Sequence, residues 1–499
     1  MLTRVKLRSE SVRGPQYALD STMTPAPETT PLDSLRSAFE QWHAAALAAQ
    51  VLAVRFLGAT AILAAGHARF DALTRAARAR SPFYRDAWRH LPAGALKLDD
   101  LPVVTKCELM AHFDQWCTDR AVTRSAVDRF VSERKFIGER FLDRYLVWMS
   151  SGSTGEPGVY VQDEGALAAY DALVSAQLAG PVFAGCDWNA VAAMDGRSAL
   201  ITADTDHFAS IASWRRLAQG KPWLDMRSFA VTQPLAEIVR ELNAYQPAFV
   251  SSYPTVLALL ADEQDAGRLA IRPAALWSGG EGLSAPARRE IERVFDCPLL
   301  NEYGASECLT IGHGCREGWL HVNADWVVLE PVEQDYRPTP PGESSYTVLL
   351  TSLANVVQPI IRYDLGDGVR AKAGRCACGS PLPAIQVEGR SDDVLALAAR
   401  DGRAVHLVPL ALTTVIEDAA HIHRFQVVQQ AHDSLALRLM DCDRAGAGAM
   451  AVAALRGYLA QQGLAHVDVA LDDQEPQPER RGGKLRQVVA LAPRADRLS

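Results

Sequence analysis

Ala248-Phe249-Val250-Ser251-Ser252-Tyr253, halted by Pro254, reads as a buried strand that ends in a turn. From Thr255 to Gly267 the period changes, with Leu257, Leu259 and Leu260 at helical spacing beneath an acidic outer face. Ala275-Leu276-Trp277-Ser278 is a second strand, opening into Gly279-Gly280. A helix from about Ala285 to Phe295 follows, and Pro298-Leu299-Leu300 is a third strand that delivers Tyr303. Strand, loop, helix, strand is the α/β pattern. It sets ligand-binding groups at the carboxyl ends of strands.

Beyond Pro331 the pattern shifts. Thr347-Val348-Leu349-Leu350-Thr351 and Gln386-Val387 look like strands of a small β-rich region. Past Arg390 lie about a hundred residues with their own alternation, including Arg424-Phe425-Gln426-Val427-Val428 and Val467-Asp468-Val469. This predicts a large domain over residues 33–390 with mixed sheets and helices. A small α+β domain over residues 391–499 would follow. Residues 1–32, rich in Pro, Thr and Ser towards their end, read as disordered, and Met23 offers an alternative start.

A chain of 499 residues is too long for one compact core. Its net charge of -8 provides no broad positive field for nucleic acid or anionic membrane. Nine scattered cysteines do not form a secreted disulfide framework, so a reducing cytoplasm is expected. The stretch from Ala44 to Ala65 is the most membrane-like, but alanine dominates it and Gln50 and Arg55 interrupt it. A packing helix is expected there.

Upstream of the strands stands Ser150-Ser151-Gly152-Ser153-Thr154-Gly155-Glu156-Pro157. Such a loop has little bulk, so its backbone N–H groups can close on a phosphate while its hydroxyls donate further bonds. No Gly-Lys-Ser/Thr ends it, so it is not the common NTPase P-loop. The same composition also fits a flexible linker. Downstream come Ser278-Gly279-Gly280-Glu281, Asn301-Glu302-Tyr303-Gly304-Ala305-Ser306-Glu307 and Arg362-Tyr363-Asp364-Leu365-Gly366-Asp367. Gly389-Arg390-Ser391-Asp392-Asp393 and Gly482-Gly483-Lys484-Leu485-Arg486 complete the series.

In this order the motifs resemble those of the adenylate-forming enzymes: acyl-CoA synthetases, luciferases and peptide-synthetase adenylation domains. With Ser81-Pro82-Phe83-Tyr84-Arg85 and Leu101-Pro102-Val103-Val104-Thr105-Lys106, the chain looks most like the phenylacetate–CoA ligase and coenzyme F390 synthetase group. The likeness covers roughly residues 68 to 490. It implies activation of a carboxylic acid by ATP, with release of pyrophosphate, and then acyl transfer to an acceptor.

One anion must attack another in such a reaction, so the barrier is largely electrostatic. The resemblance implies that Ser151, Gly152, Ser153, Thr154 and Gly155 hold the β- and γ-phosphates. It places Mg²⁺ at Glu307, adenine against Tyr303 with Gly304 beside it, and the Gly279, Gly280 and Glu281 backbone around the same pocket. Asp367 would accept the ribose hydroxyls with Arg390 nearby. Lys484 would reach the α-phosphate and carboxylate from the small domain, which would pivot at Asp392 ahead of a helix-like Leu485–Ala490 segment. Singly, each of these residues also fits an ordinary turn, cap or surface role. One departure is Glu156, where many members carry lysine. A glutamate there would repel polyphosphate and is expected to point to solvent.

Cys315, His321, Cys376 and Cys378 form a second constellation. Thiolates and imidazole suit tetrahedral Zn²⁺. The Cys-x-Cys spacing is tighter than zinc usually takes, so free buried thiols are the alternative. Some members of the resembled group carry a similar zinc site, which implies a structural zinc here, with Cys308 or His313 as substitute ligands. His207, Phe208, Tyr253 and Trp277 flank the strand ends where the acid should lie, and equally fit an aromatic core. CoA is the acceptor the resemblance favours. An amine, an amino acid or a carrier-protein thiol is a rival acceptor, and a non-catalytic nucleotide-binding protein is the rival class. A homodimer is compatible with the sequence.

Overall fold

A nine-stranded sheet organises the large domain, and its two halves follow different rules. In spatial order, Met226–Ala230, Ser198–Thr202, Phe249–Ser252, Ala275–Gly279 and Leu299–Ala305 run parallel. Cys308–Gly314, Leu320–Val322, Ala384–Glu388 and Gly368–Ala371 then continue it antiparallel. The computed structural model describes residues 31–150, 157–219, 225–388, 394–444, 446–477 and 486–491.

The parallel half is the α/β unit expected from the sequence. The helices between its strands are Ala209–Ala218, Leu235–Tyr245, Pro254–Asp265 and Ala285–Phe295. Pro254 opens helix Pro254–Asp265, where its missing N–H costs nothing, and Ser284 caps helix Ala285–Phe295 by accepting from the Ala287 N–H. Ile291 and Phe295 on one helix pack with Leu257 and Leu260 on the other over Leu276 and Leu299. The third strand is longer than its apolar start suggested. It runs Leu299–Ala305 and contains Tyr303, because the Cys308–Gly314 strand pairs back against it.

The region beyond Pro331 divides differently from expectation. Val327–Val332, Thr347–Ser352 and Tyr363–Asp364 form a separate three-stranded sheet, whereas Gln386-Val387 belong to an edge-ward strand of the nine-stranded one. The segments Ser81–Arg85 and Leu101–Lys106 brace this region. Tyr84 donates to the Pro359 carbonyl at 2.9 Å, and Val104 bridges to Tyr363.

The helix expected across Ala44–Ala65 is two helices, Pro31–Phe56 and Ala59–Arg80, broken at Leu57-Gly58 where Gly58 takes a φ of 91°. The first packs on helix Glu164–Leu178 through Val51, which meets Leu173 and Ala176. Arg55 turns inward to Asn323 at 2.7 Å and to the buried Asp325 at 3.5 Å. No helix among the described residues is long and apolar enough to cross a membrane.

The C-terminal part forms a four-stranded sheet, in the order Asp468–Asp472, Ser434–Leu439, Phe425–Ala431 and Val488–Val489, with helices Pro409–Ala420 and Gly448–Gln461. The helix-like reading of Leu485–Ala490 is corrected here. Val488 and Val489 pair in parallel with Val427 and Val428, and Val488 is fully buried. Two adjacent β-branched residues beside an open sheet edge gain more from pairing than from one helical turn. The two parts touch through Arg134–Asp418 at 3.2 Å and through Gln462, which donates to the Thr232 carbonyl at 3.1 Å. The proposed boundary at 390/391, with Arg390 and Asp392, lies outside the described residues, as do residues 1–30.

Candidate active site and metal centre

At the carboxyl ends of the parallel strands lies a cleft of about 1010 Å³, lined by Tyr253, Gly280, Glu281, Tyr303 and Asp367 among others. Pro409, Leu410, Thr413 and Gln487 reach it from the C-terminal part. The parallel and antiparallel halves of the sheet meet at the Leu299–Ala305 strand, so the cleft opens where strand direction switches.

Gly280 sits at a φ of 80°, and a Cβ there would stand 2.9 Å from the Tyr253 ring. Only glycine lets the chain turn against that ring. Glu281 is less free than a backbone-only role implies. Its carboxylate accepts from the Thr255 hydroxyl at 2.8 Å, at the start of helix Pro254–Asp265. Gly304 follows Tyr303 at a β-bulge, where a Cβ would stand 2.0 Å from the Leu309 carbonyl oxygen.

Tyr303 is buried and its hydroxyl donates to Asp367 at 2.9 Å. Burial, reinforced by the Asp367 charge, holds its phenol well above the ordinary range. Four residues further, the buried Glu307 accepts on Oε1 from the hydroxyls of Tyr160 at 2.5 Å and Tyr363 at 2.7 Å. Burial and then the Glu307 charge raise both phenols, so they remain donors. Both bond the same oxygen and do not engage Oε2. Trp148 donates its indole N–H to the Ser306 carbonyl at 2.6 Å, and strand Tyr145–Met149 is thereby tied to the Tyr303–Glu307 segment.

Ser151, Gly152, Ser153, Thr154, Gly155 and Glu156 lie outside the described residues, as does Lys484. The neck of that loop is described. Ser150 N–H donates to the Gly158 carbonyl at 2.9 Å and Gly158 N–H to the Ser150 hydroxyl at 2.8 Å. The next strand, Val159–Gln162, carries Tyr160 two residues beyond Gly158, so one hydrogen bond links the loop neck's strand to Glu307.

Of the aromatic candidates for the acid pocket, Tyr253 lines the cleft. Its hydroxyl pairs with Thr202 at 2.7 Å. Trp277 packs on Phe183 and donates to Glu302 at 3.0 Å, one layer behind the lining. His207 is fully buried, with Nε2 3.2 Å from the Glu133 carbonyl, and burial lowers its pKa. Phe208 bridges to Met149. Neither His207 nor Phe208 lines the cleft.

Ligand atoms of Cys315, His321, Cys376 and Cys378 all lie within 4.8 Å of one another. Cys315 Sγ is 3.9 Å from Cys376 Sγ, and His321 Nε2 is 3.1 Å from Cys378 Sγ. Metal–sulfur bonds of about 2.3 Å in a tetrahedron place sulfurs roughly 3.8 Å apart, so the donor set and spacing fit zinc. The other ring nitrogen of His321, Nδ1, lies 3.1 Å from the Leu382 carbonyl, the outer contact that fixes a ligating imidazole. Cys308 and His313 do not join the cluster. Cys308 is buried beside Tyr170, and its thiol is pushed up to about 11 by burial. His313 is pushed down to about 3, chiefly by burial and then by Arg55.

Sequence reasoning missed Tyr160 and gave Tyr363 no role. It also passed over Glu302, which lines the cleft. The one available signal was the position of Tyr160 directly after the glycine-rich loop.

A family model described as AMP-binding enzyme matches residues 84–343, half of the chain. Protein CapK of Staphylococcus aureus is 29% identical over 133 residues, which are 26% of this chain and 28% of CapK. The chain thus matches little more than a quarter of that curated relative. Among solved structures, 2-hydroxyisobutyryl-CoA ligase, in complex with 2-HIB-AMP and CoA in the thioesterification state, has a TM-score of 0.52 at 20% identity. The match covers 86% of this chain and 89% of that one. At that identity the likeness is one of fold.

Proposed function

Since the chain belongs to the AMP-binding enzyme family, we propose that it activates a carboxylic acid with ATP and Mg²⁺ and then passes the acyl group to a thiol, with CoA as the favoured acceptor. The observation that carries this reading is the Tyr303–Asp367 pair on the cleft, with the buried Glu307–Tyr160–Tyr363 triad anchoring the same segment four residues further on. In the proposed site Tyr303 packs on adenine, and Asp367, oriented by Tyr303, accepts the ribose hydroxyls. Glu307 offers a hard oxygen to Mg²⁺, which would neutralise phosphate charge. The two tyrosines fix the direction in which its carboxylate points. The 151–155 loop, gathered at the Ser150–Gly158 neck, would fold over the β- and γ-phosphates. Lys484 would supply a point charge to the α-phosphate and the attacking carboxylate. The small domain would withdraw it by turning about Asp392, so that the acceptor can enter. The cysteine–histidine cluster would hold a structural zinc, with four protein ligands and no open position.

Membership of the phenylacetate–CoA ligase group and a cytoplasmic location complete the proposal. The structural relative whose complex holds both an acyl-AMP and CoA supports the thiol acceptor by analogy of fold.

Acid-dependent exchange of labelled pyrophosphate into ATP tests the reading. The wild-type protein should exchange with at least one acid, and Lys484→Ala should lose exchange by about a hundredfold or more while still consuming pre-formed acyl-adenylate. Absence of exchange across a broad acid panel would leave a nucleotide-binding protein instead.

A further inference from the structure

Glu302 stands one residue before Tyr303 and lines the cleft where the parallel pairing of its strand with Ala275–Gly279 ends. Successive side chains on a strand point to opposite faces, and the two residues do so here: Tyr303 bonds Asp367, and Glu302 bonds Trp277. On the Glu302 side one wall is apolar, while His313, held neutral by burial, stands directly across the antiparallel ladder. Trp277 and Leu300 cluster with Phe183 and Phe249. A carboxyl set against such a wall is expensive unless its oxygens are engaged.

Only half of it is. Oε2 accepts the indole N–H of Trp277 at 3.0 Å, whereas Oε1 is sealed from bulk solvent with no partner in bonding geometry. The Thr310 hydroxyl lies nearby on the adjacent strand, and it too lacks a partner in bonding geometry. Directly across the parallel ladder is Gly279, where a Cβ would come within 3.9 Å of that of Glu302. The missing side chain leaves open the space beside the carboxyl stem. Burial pushes the Glu302 carboxyl up to about 7, against the opposing pull of Thr310 and Trp277. Near neutral pH it is therefore available both as a hydrogen-bond acceptor and as a counter-charge.

We propose that Glu302 reads a hydrogen-bond-donating group, a hydroxyl or an amino substituent, on the acid that the enzyme activates. This rests on the acid-activating function proposed above. The acid would occupy the Gly279 side of the cleft, with its donor on Oε1, while Trp277 holds Oε2 and so fixes the carboxylate plane. A site built to bond a substrate donor rejects the analogue that lacks it, because the buried acceptor is then left bare.

The test uses pyrophosphate exchange by the full chain with matched acids: propanoate, lactate and alanine; phenylacetate, mandelate and phenylglycine; benzoate and its hydroxy and amino derivatives. In at least one set the wild type should favour the hydroxyl or amino member over the plain acid by a hundredfold or so. Glu302→Leu should erase that preference or invert it. Glu302→Gln should keep a hydroxy acid and lose an amino acid, since it retains an acceptor without the charge. Thermal melting of each variant shows whether it is folded, and Glu302→Gln supplies the answer if the leucine variant is not. Exchange by the wild type with plain acids as fast as with their donor-bearing partners overturns this inference and leaves the ligase reading intact. So does a Glu302→Gln variant impaired only in transfer from pre-formed acyl-adenylate, which would make Glu302 a base for the acceptor. Failure of every acid to support exchange overturns the ligase reading and this inference together.

Discussion

The two halves of the nine-stranded sheet handle polar side chains in opposite ways. The parallel half ends in open space, and its carboxyl-end residues, Gly280, Glu302 and Tyr303, border a cleft. The antiparallel half turns its polar residues on one another. Cys315 and His321 flank one hairpin, Cys376 and Cys378 come from the loop before the next strand, and all four donors close around one point. Parallel strands need crossover connections, so their ends are spaced by helices and leave room for ligands. Antiparallel neighbours are joined by tight turns that bring short loops together. The first arrangement suits a substrate site, the second a structural staple.

If that division is right, the two halves should fail differently when damaged. The largest effect is expected at their junction. Glu307→Gln should slow acid-dependent pyrophosphate exchange about a hundredfold if, as proposed, its charge faces the Mg²⁺ ion. Its melting temperature should stay within about 3 °C of wild type, since an amide oxygen still accepts from Tyr160 and Tyr363. A large drop in melting would make Glu307 a folding residue first.

The metal centre should show the reverse. Purified protein should carry close to one zinc per chain, measured by atomic emission. Removing it, or changing Cys378→Ser, should lower the apparent melting temperature by roughly 5 °C or more, because ligand binding energy is then folding energy. With Mg²⁺ restored, exchange per folded molecule should remain within about threefold of wild type. Metal-free protein that melts unchanged would return the four residues to unlinked thiols and imidazole.

The smallest effect belongs to the contact between the parts. Arg134–Asp418 is an ion pair whose arginine is largely exposed, so Arg134→Ala should change stability by under about 1 kcal/mol. A stability loss several times larger in denaturant titration would show that the pair, rather than the apolar contact around it, sets how the two parts meet.

The motifs were legible because each packs its chemistry into consecutive residues. Tyr303, Glu307 and Asp367 needed no structure to be singled out, and the helix over Ala285–Phe295 was placed between its two strands at the bounds it takes. The partners of those residues were not readable. Tyr160 reaches Glu307 across 147 residues of sequence and Tyr363 does so across 56, and no local period encodes such a meeting. Leu485–Ala490 misled for the same reason. Val488-Val489 became a strand only because Phe425–Ala431 offered an unpaired edge.

By itself the sequence determined the α/β class, the order of the motifs, the family and the identity of four metal-ligand candidates, since these depend on residue type, spacing and short-range period. The tertiary structure alone decided which polar groups face each other. It brought Cys315, His321, Cys376 and Cys378 to one point, gave Glu307 two phenol donors, and left one oxygen of Glu302 buried without a bond. Hydrogen bonds and coordination depend on distances of a few ångströms between segments far apart in the chain. Only packing sets those distances.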